Sequence, residues 1–152
     1  MLDLKRTDSS NQNFQKLVQE LDADLKIRDG EDHEFFAQFN KIDKINYVIV
    51  AYEEGEAVGC GAIKKYSDEI IEIKRMYVVP HKRSQGIASR ILKELELWAK
   101  ELYFKKCILE TGEKQPEAIG LYIKNNYITI PNFGQYEKVD NKIGRASCRE
   151  RV

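Results

Sequence analysis

Leu2-Asp3-Leu4-Lys5-Arg6 alternates apolar and polar residues, the period of a half-buried strand. Phe14, Leu17, Val18, Leu21 and Leu25 then recur at helical spacing through about Lys26. Ser9, Ser10 or Asn11 can cap that helix, and Asp29-Gly30 breaks it. Asp32 can cap a second, short helix carrying Phe35, Phe36 and Phe39. Residues 47–52 are β-branched and aromatic, hence a strand, and Glu54-Gly55 is a hairpin signal leading into a strand over 57–65. Ser67-Asp68 turns the chain into a long strand over 69–79, which ends at Pro80. Ala88, Ile91, Leu92, Leu95, Trp98, Ala99 and Leu102 form one face of an amphipathic helix over 88–103. A buried strand at 106–110, a helix at 117–125 and a last strand from 127 to 130 complete the chain's regular elements. The order is β-α-α-β-β-β-α-β-α-β. An antiparallel meander feeds a β-α-β-α-β unit, so the fold class is α+β (mixed α/β), with a mixed, mostly antiparallel sheet flanked by helices.

At 152 residues the chain has the length of one domain with one core. Hydrophobic residues make up 42% and charged residues 33%, as in ordinary globular proteins. Lysine plus arginine equals aspartate plus glutamate at 25 each, so no global field argues for nucleic acid or a membrane surface as partner. No apolar run approaches a membrane span, and Met1-Leu2-Asp3-Leu4-Lys5-Arg6 lacks the apolar stretch of a signal peptide. Cys60, Cys107 and Cys148 make no CxxC and no Cys/His cluster. No metal is expected, and reduced thiols in a cytoplasmic protein are the expectation.

The last ten residues, 143–152, are polar, basic and without periodicity. They resemble the translation of a common DNA-sequencing adapter. The domain is therefore assigned to residues 1–142 and the remainder is expected to be a non-native tail, an expectation that an unchanged tail in the resequenced gene would contradict. Without it the chain is slightly acidic.

The sharpest signal is Val78-Val79-Pro80-His81-Lys82-Arg83-Ser84-Gln85-Gly86-Ile87-Ala88. A strand runs into a basic, glycine-containing turn that opens a helix. The first amides of a helix have no intrahelical partner and its dipole favours an anion there. Gly86 permits close backbone approach and Ala88 is small, which together suit a pyrophosphate. Lys82 and Arg83 add positive charge. The spacing is Arg-x-x-Gly-x-Ala, neither a Walker loop nor a Rossmann fingerprint.

This stretch resembles the GNAT superfamily, whose central motif is Arg/Gln-x-x-Gly-x-Gly/Ala, here Arg83, Gly86 and Ala88. The preceding Glu72-Ile73-Lys74-Arg75-Met76-Tyr77-Val78-Val79-Pro80 is similar to the strand before that motif in bacterial members, and the likeness covers roughly residues 2–140. The resemblance implies acetyl-CoA as donor. Amides around Arg83, Ser84, Gln85, Gly86, Ile87 and Ala88 would hold its pyrophosphate, and Ser89 would add a hydroxyl. Backbone groups near Tyr77, Val78 and Val79 would pair with the pantetheine arm as an added strand. Val78 N–H is the implied oxyanion donor.

Acyl transfer to an amine needs a base and a proton for the leaving thiolate. Glu72, fourteen residues before Gly86, matches a base position of some GNAT enzymes; a strand glutamate paired with Lys74 or Arg75 is the bland alternative. Tyr122 is the implied acid. Gln115-Pro116-Glu117-Ala118-Ile119-Gly120-Leu121-Tyr122 resembles the GNAT helix pattern Asn-x-x-Ala-x-x-Leu-Tyr, with Gln115 in place of the asparagine that contacts the pantetheine arm. Gly120 weakens that helix, and Asn126 stands where glycine usually ends it. Asp29, Glu31, Asp32, His33 and Glu34 form an acidic cluster suited either to a cationic acceptor or to helix capping. Tyr77 and Phe133 are candidates for the acceptor cleft or for the core. Cys60 and Cys107 read as core, and Gly59 and Gly61 as a bulge or a close approach.

The expected function is an N-acetyltransferase acting on a primary amine of a small molecule or amino acid. The competing readings are peptide acetylation and a non-catalytic acyl-CoA-binding module. A homodimer is expected only by analogy with similar proteins.

Overall fold

The computed structural model describes residues 1–29, 44–112, 116–130 and 142–148. The predicted helix carrying Phe35, Phe36 and Phe39 lies outside them, as do Gln115, Phe133 and the acidic residues from Glu31 to Glu34. The described elements are β1 (Leu2–Thr7), α1 (Gln12–Asp29), β2 (Tyr47–Glu53), β3 (Glu56–Lys65), β4 (Ile70–Val78), α2 (Ile87–Glu101), β5 (Lys106–Gly112), α3 (Pro116–Lys124), β6 (Ile128–Ile130) and β7 (Lys142–Cys148). A single 3-10 turn, Pro80–Lys82, links β4 to the loop before α2.

The strands form one sheet in the order β1-β2-β3-β4-β5-β7-β6. Every neighbouring pair is antiparallel except β4 and β5, which run parallel. This is the mixed, mostly antiparallel sheet that the element order implies. Of the three candidate caps of α1, Asn11 fills the role: its Oδ1 accepts the Phe14 N–H at 2.9 Å. Glu54 and Gly55 both have positive φ, 51° and 82°, as the tight β2–β3 hairpin requires.

The core forms where α1 and α2 cover the sheet. Phe14, Leu17 and Val18 bury one stripe of α1, and Ile91, Leu92 and Leu95 bury one stripe of α2. Gly59 and Gly61 allow the second packing. A Cβ on Gly61 would lie 2.6 Å from Met76 Sδ, 2.8 Å from Leu95 Cδ1 and 2.9 Å from Ile91 Cγ2. These glycines therefore mark a close approach of helix to strand. Cys60 and Cys107 are buried in the same core, and burial pushes the Cys60 thiol up to about 12.

Two features of β4 shape the cleft beside it. Between the partner pairs Cys60/Tyr77 and Ala62/Lys74, β4 carries one residue more than β3. Arg75 sits in this bulge with φ 59°, and its Nη1 bonds Asp22 Oδ1 of α1 at 2.8 Å. Pairing with β5 is also brief: only Ile70, Ile71 and Glu72 have partners, in Lys106, Cys107 and Ile108. Beyond them the two parallel strands run on without a shared ladder, and the sheet opens as a wedge.

Residues 142–148, most of which the sequence sets aside as a tail, supply the strand between β5 and β6. Ladder hydrogen bonds come from the backbone, so a proline-free segment can pair there whatever its origin.

Candidate active site

The wedge opens into a cleft of about 470 Å3 lined by β4, the 82–89 turn, the end of β5 and α3. At its mouth the chain leaves β4, makes the 3-10 turn and enters α2 through two left-handed residues, Ser84 (φ 65°) and Gly86 (φ 80°). The first bond that reaches into the helix is Arg90 N–H to Gly86 C=O, at 3.1 Å. Among the described residues, no backbone acceptor is bonded by the amides of residues 84–89. A Cβ on Gly86 would meet nothing within 4 Å, so the space beside this cleft-lining residue is open. Amides without a backbone acceptor at the N-terminus of a fifteen-residue helix have the chemistry to receive an anion. Arg83 N–H is the exception in the predicted set, since it donates to Pro80 C=O at 3.3 Å.

The cationic side chains of the turn behave differently from expectation. Lys82 is held by Glu53. Arg83 donates from Nε to Val78 C=O at 2.8 Å, lies 5.4 Å from the Tyr77 ring centroid and approaches Asp24 at 3.9 Å. Both cations are paired with acids, which lowers the charge these side chains offer an anion.

Deeper in the wedge, β4 offers a free edge. Val79 N–H donates across to Val58 C=O at 3.0 Å. Strand groups alternate sides, which turns Val78 N–H toward the open edge, beside the Val78 carbonyl taken by Arg83. Tyr77 is 7% exposed and lines the cleft, so it serves core and cleft together.

Glu72 sits at the fork, the last β4 residue paired with β5. Its side chain is 20% exposed and lies 4.0 Å from Lys74 Nζ. Burial pushes its carboxyl above the ordinary 4.5, and Lys74 and Lys64 pull the other way without cancelling the effect. Arg75 is not its partner, being committed to Asp22. Tyr122 projects from α3 into the same cleft, buried at 5% exposure. Burial raises its hydroxyl above the ordinary 10, which keeps it protonated at neutral pH. Its ring meets Tyr127 edge-on, centroids 5.6 Å apart, and the Tyr127 hydroxyl donates to the buried Glu96 Oε2 at 2.6 Å.

The structure thus brings Glu72, Tyr77, Val78, Arg83, Ser84, Gly86, Ile87, Ala88, Ser89 and Tyr122 to one cleft, whereas Val79 and Gln85 are not among its lining residues. Glu110 and Thr111 of β5 also line it. Sequence reasoning missed both, because a strand read only as buried gives no sign of which end leaves the ladder.

The sequence matches the profile of the acetyltransferase (GNAT) family across residues 14–127, which is most of the chain. The chain belongs to this family. An IAA acetyltransferase of Azospirillum brasilense is 37% identical over 89 residues, covering 58% of this chain and 58% of that protein. The chain therefore aligns with a little over half the length of that curated relative. A Klebsiella pneumoniae protein, provisionally named an acyl-CoA N-acyltransferase, superposes with a TM-score of 0.82 at 26% identity, covering 97% of each chain. A GNAT acetyltransferase of Elizabethkingia anophelis, solved with acetyl-CoA bound, has the same fold, with a TM-score of 0.70 at 18% identity and 97% of each chain covered. In GNAT terms, the parted strands and the amides after β4 form this chain's candidate donor site.

Proposed function

We propose that the protein is an N-acetyltransferase that moves the acetyl group of acetyl-CoA to a primary amine of a small molecule or amino acid by direct attack. The observation that carries this reading is the row of unbonded amides at residues 84–89, set at the mouth of the parted β4 and β5. A diphosphate fits amides that bond no backbone acceptor among the described residues, and an extended arm fits a strand edge left without a neighbour there. Acetyl-CoA, when bound, supplies the acetyl group as an activated thioester.

The residues divide the remaining work. Glu72, its proton affinity raised by burial, takes the proton from the incoming ammonium so that a neutral amine can attack. Val78 N–H is the donor for the acyl oxygen. Tyr122 keeps its proton to neutral pH and beyond, and gives it to the departing thiolate. The profile match and the acetyl-CoA complex of a protein with this fold support the donor assignment.

Thiol release from acetyl-CoA, followed over a panel of amines, amino acids and short peptides, tests this function. Release with at least one small amine or amino acid is expected. CoA binding without release for any acceptor would replace the enzyme with a binding module.

A further inference from the structure

Thr111 stands on β5 three residues beyond the last pair with β4 and lines the cleft. It is 4% exposed, and its Oγ1 has no hydrogen-bond partner among the described residues. A buried hydroxyl without a partner destabilises the ligand-free fold, and such a group in a native structure calls for a cause. Thr111 is in register with Ile143 of β7. On the other side, beyond Ile108, β5 has no strand beside it among the described residues, so the wedge that Thr111 lines is where an acceptor for the hydroxyl can enter. Alternation along β5 puts Thr111 on the face of the core residues Cys107 and Leu109, opposite Glu110.

We propose that Thr111 is a donor-binding residue whose hydroxyl donates to a carbonyl oxygen of the acyl-CoA arm between β4 and β5. This rests on the reading that the wedge holds an acyl-CoA. Thr111 already lines the cleft, and an arm lying between the strand ends gives its hydroxyl an acceptor. The bond missing in the free protein is then made only in the complex, which turns a cost of folding into affinity. Two kinds of oxygen offer this chemistry: the amide carbonyls of the pantetheine arm and the thioester carbonyl.

The test is calorimetric titration of CoA and of acetyl-CoA into the wild type, Thr111→Val and Thr111→Ser, with a melting temperature for each protein. Valine keeps the shape and removes the hydroxyl. The Val variant should melt above the wild type yet bind acetyl-CoA about 10-fold more weakly, the loss of one hydrogen bond, while the Ser variant binds as the wild type does. A loss shared by CoA assigns the bond to the arm's amides; a loss confined to acetyl-CoA assigns it to the thioester. Unchanged affinity of the Val variant for both ligands overturns the proposal. So does a Val variant that melts below the wild type, because the hydroxyl then has a partner in the free protein, or a Ser variant as weak as the Val. A wild type that binds no CoA refutes the donor site itself, a failure distinct from these.

Discussion

In the proposed mechanism Glu72 and Tyr122 have opposite tasks, and burial acts on them differently. A carboxyl whose pKa is raised sits nearer the working pH of a base, whereas a phenol whose pKa is raised stays protonated but is a weaker acid, so its proton moves only as negative charge builds on the leaving sulfur. Replacing Glu72 by Gln should move the optimum pH of acetyl transfer upward, because the acceptor must then arrive already deprotonated; a pH profile identical to the wild type's would make Glu72 structural. Stability carries the same signature. A carboxyl more basic in the folded than in the unfolded chain stabilises fully below the ordinary 4.5, and that contribution is lost as pH rises through the folded value. Melting curves of Glu72→Gln should therefore gain on the wild type across that window and stay ahead at neutral pH. For Tyr122→Phe, turnover should fall about 100-fold with little change in the Kd of CoA, the usual scale of a lost general acid. Steady-state kinetics alongside CoA titration reads this, and undiminished turnover would remove the tyrosine from its role.

Among the elements, β4 and α2 carry the site, and their sequences announced it unevenly. The strand, the turn at Gly86 and the apolar stripe of α2 were legible because each has a local cause: β-branched residues, a glycine with φ 80°, and apolar residues at helical spacing. The bulge at Arg75 was not, since a non-glycine residue at φ 59° has no local signature and is held by a bond to Asp22 fifty-three positions away. Glu96 lies outside the apolar stripe read for this helix, yet it is 4% exposed and accepts the hydroxyl of Tyr127, thirty-one positions away. The balancing of Lys82 and Arg83 by Glu53 and Asp24 was likewise invisible, because those partners are distant in sequence. Gly61 was legible as a bulge or a close approach; the register shifts at this position, and the structure also supplies the cost of filling it. Its added Cβ would fall within 3 Å of Met76, Leu95 and Ile91, so Gly61→Ala should lose about 1–3 kcal/mol in chemical denaturation. An unchanged unfolding midpoint would mean that α2 yields more easily than this packing implies.

For the protein as one object, the decisive property is that the sheet does not close. β4 and β5 share three pairs and then part, and the opening lies directly below the unbonded amides that succeed β4. Residues 142–148 brace the far side of β5, so whatever chain stands in that position supports one wall of the opening. Whether that chain is native was posed by its composition alone, and its non-native origin remains a proposal. In the proposed function, donor binding depends on those amides as the seat of a diphosphate. Backbone amide chemical shifts of residues 84–89 should be followed during titration with CoA and, separately, with pantetheine, which lacks the diphosphate. CoA should move these resonances strongly downfield and pantetheine should leave them in place. Saturation by CoA with the amides of 84–89 unmoved would contradict the diphosphate seat and the donor site built on it.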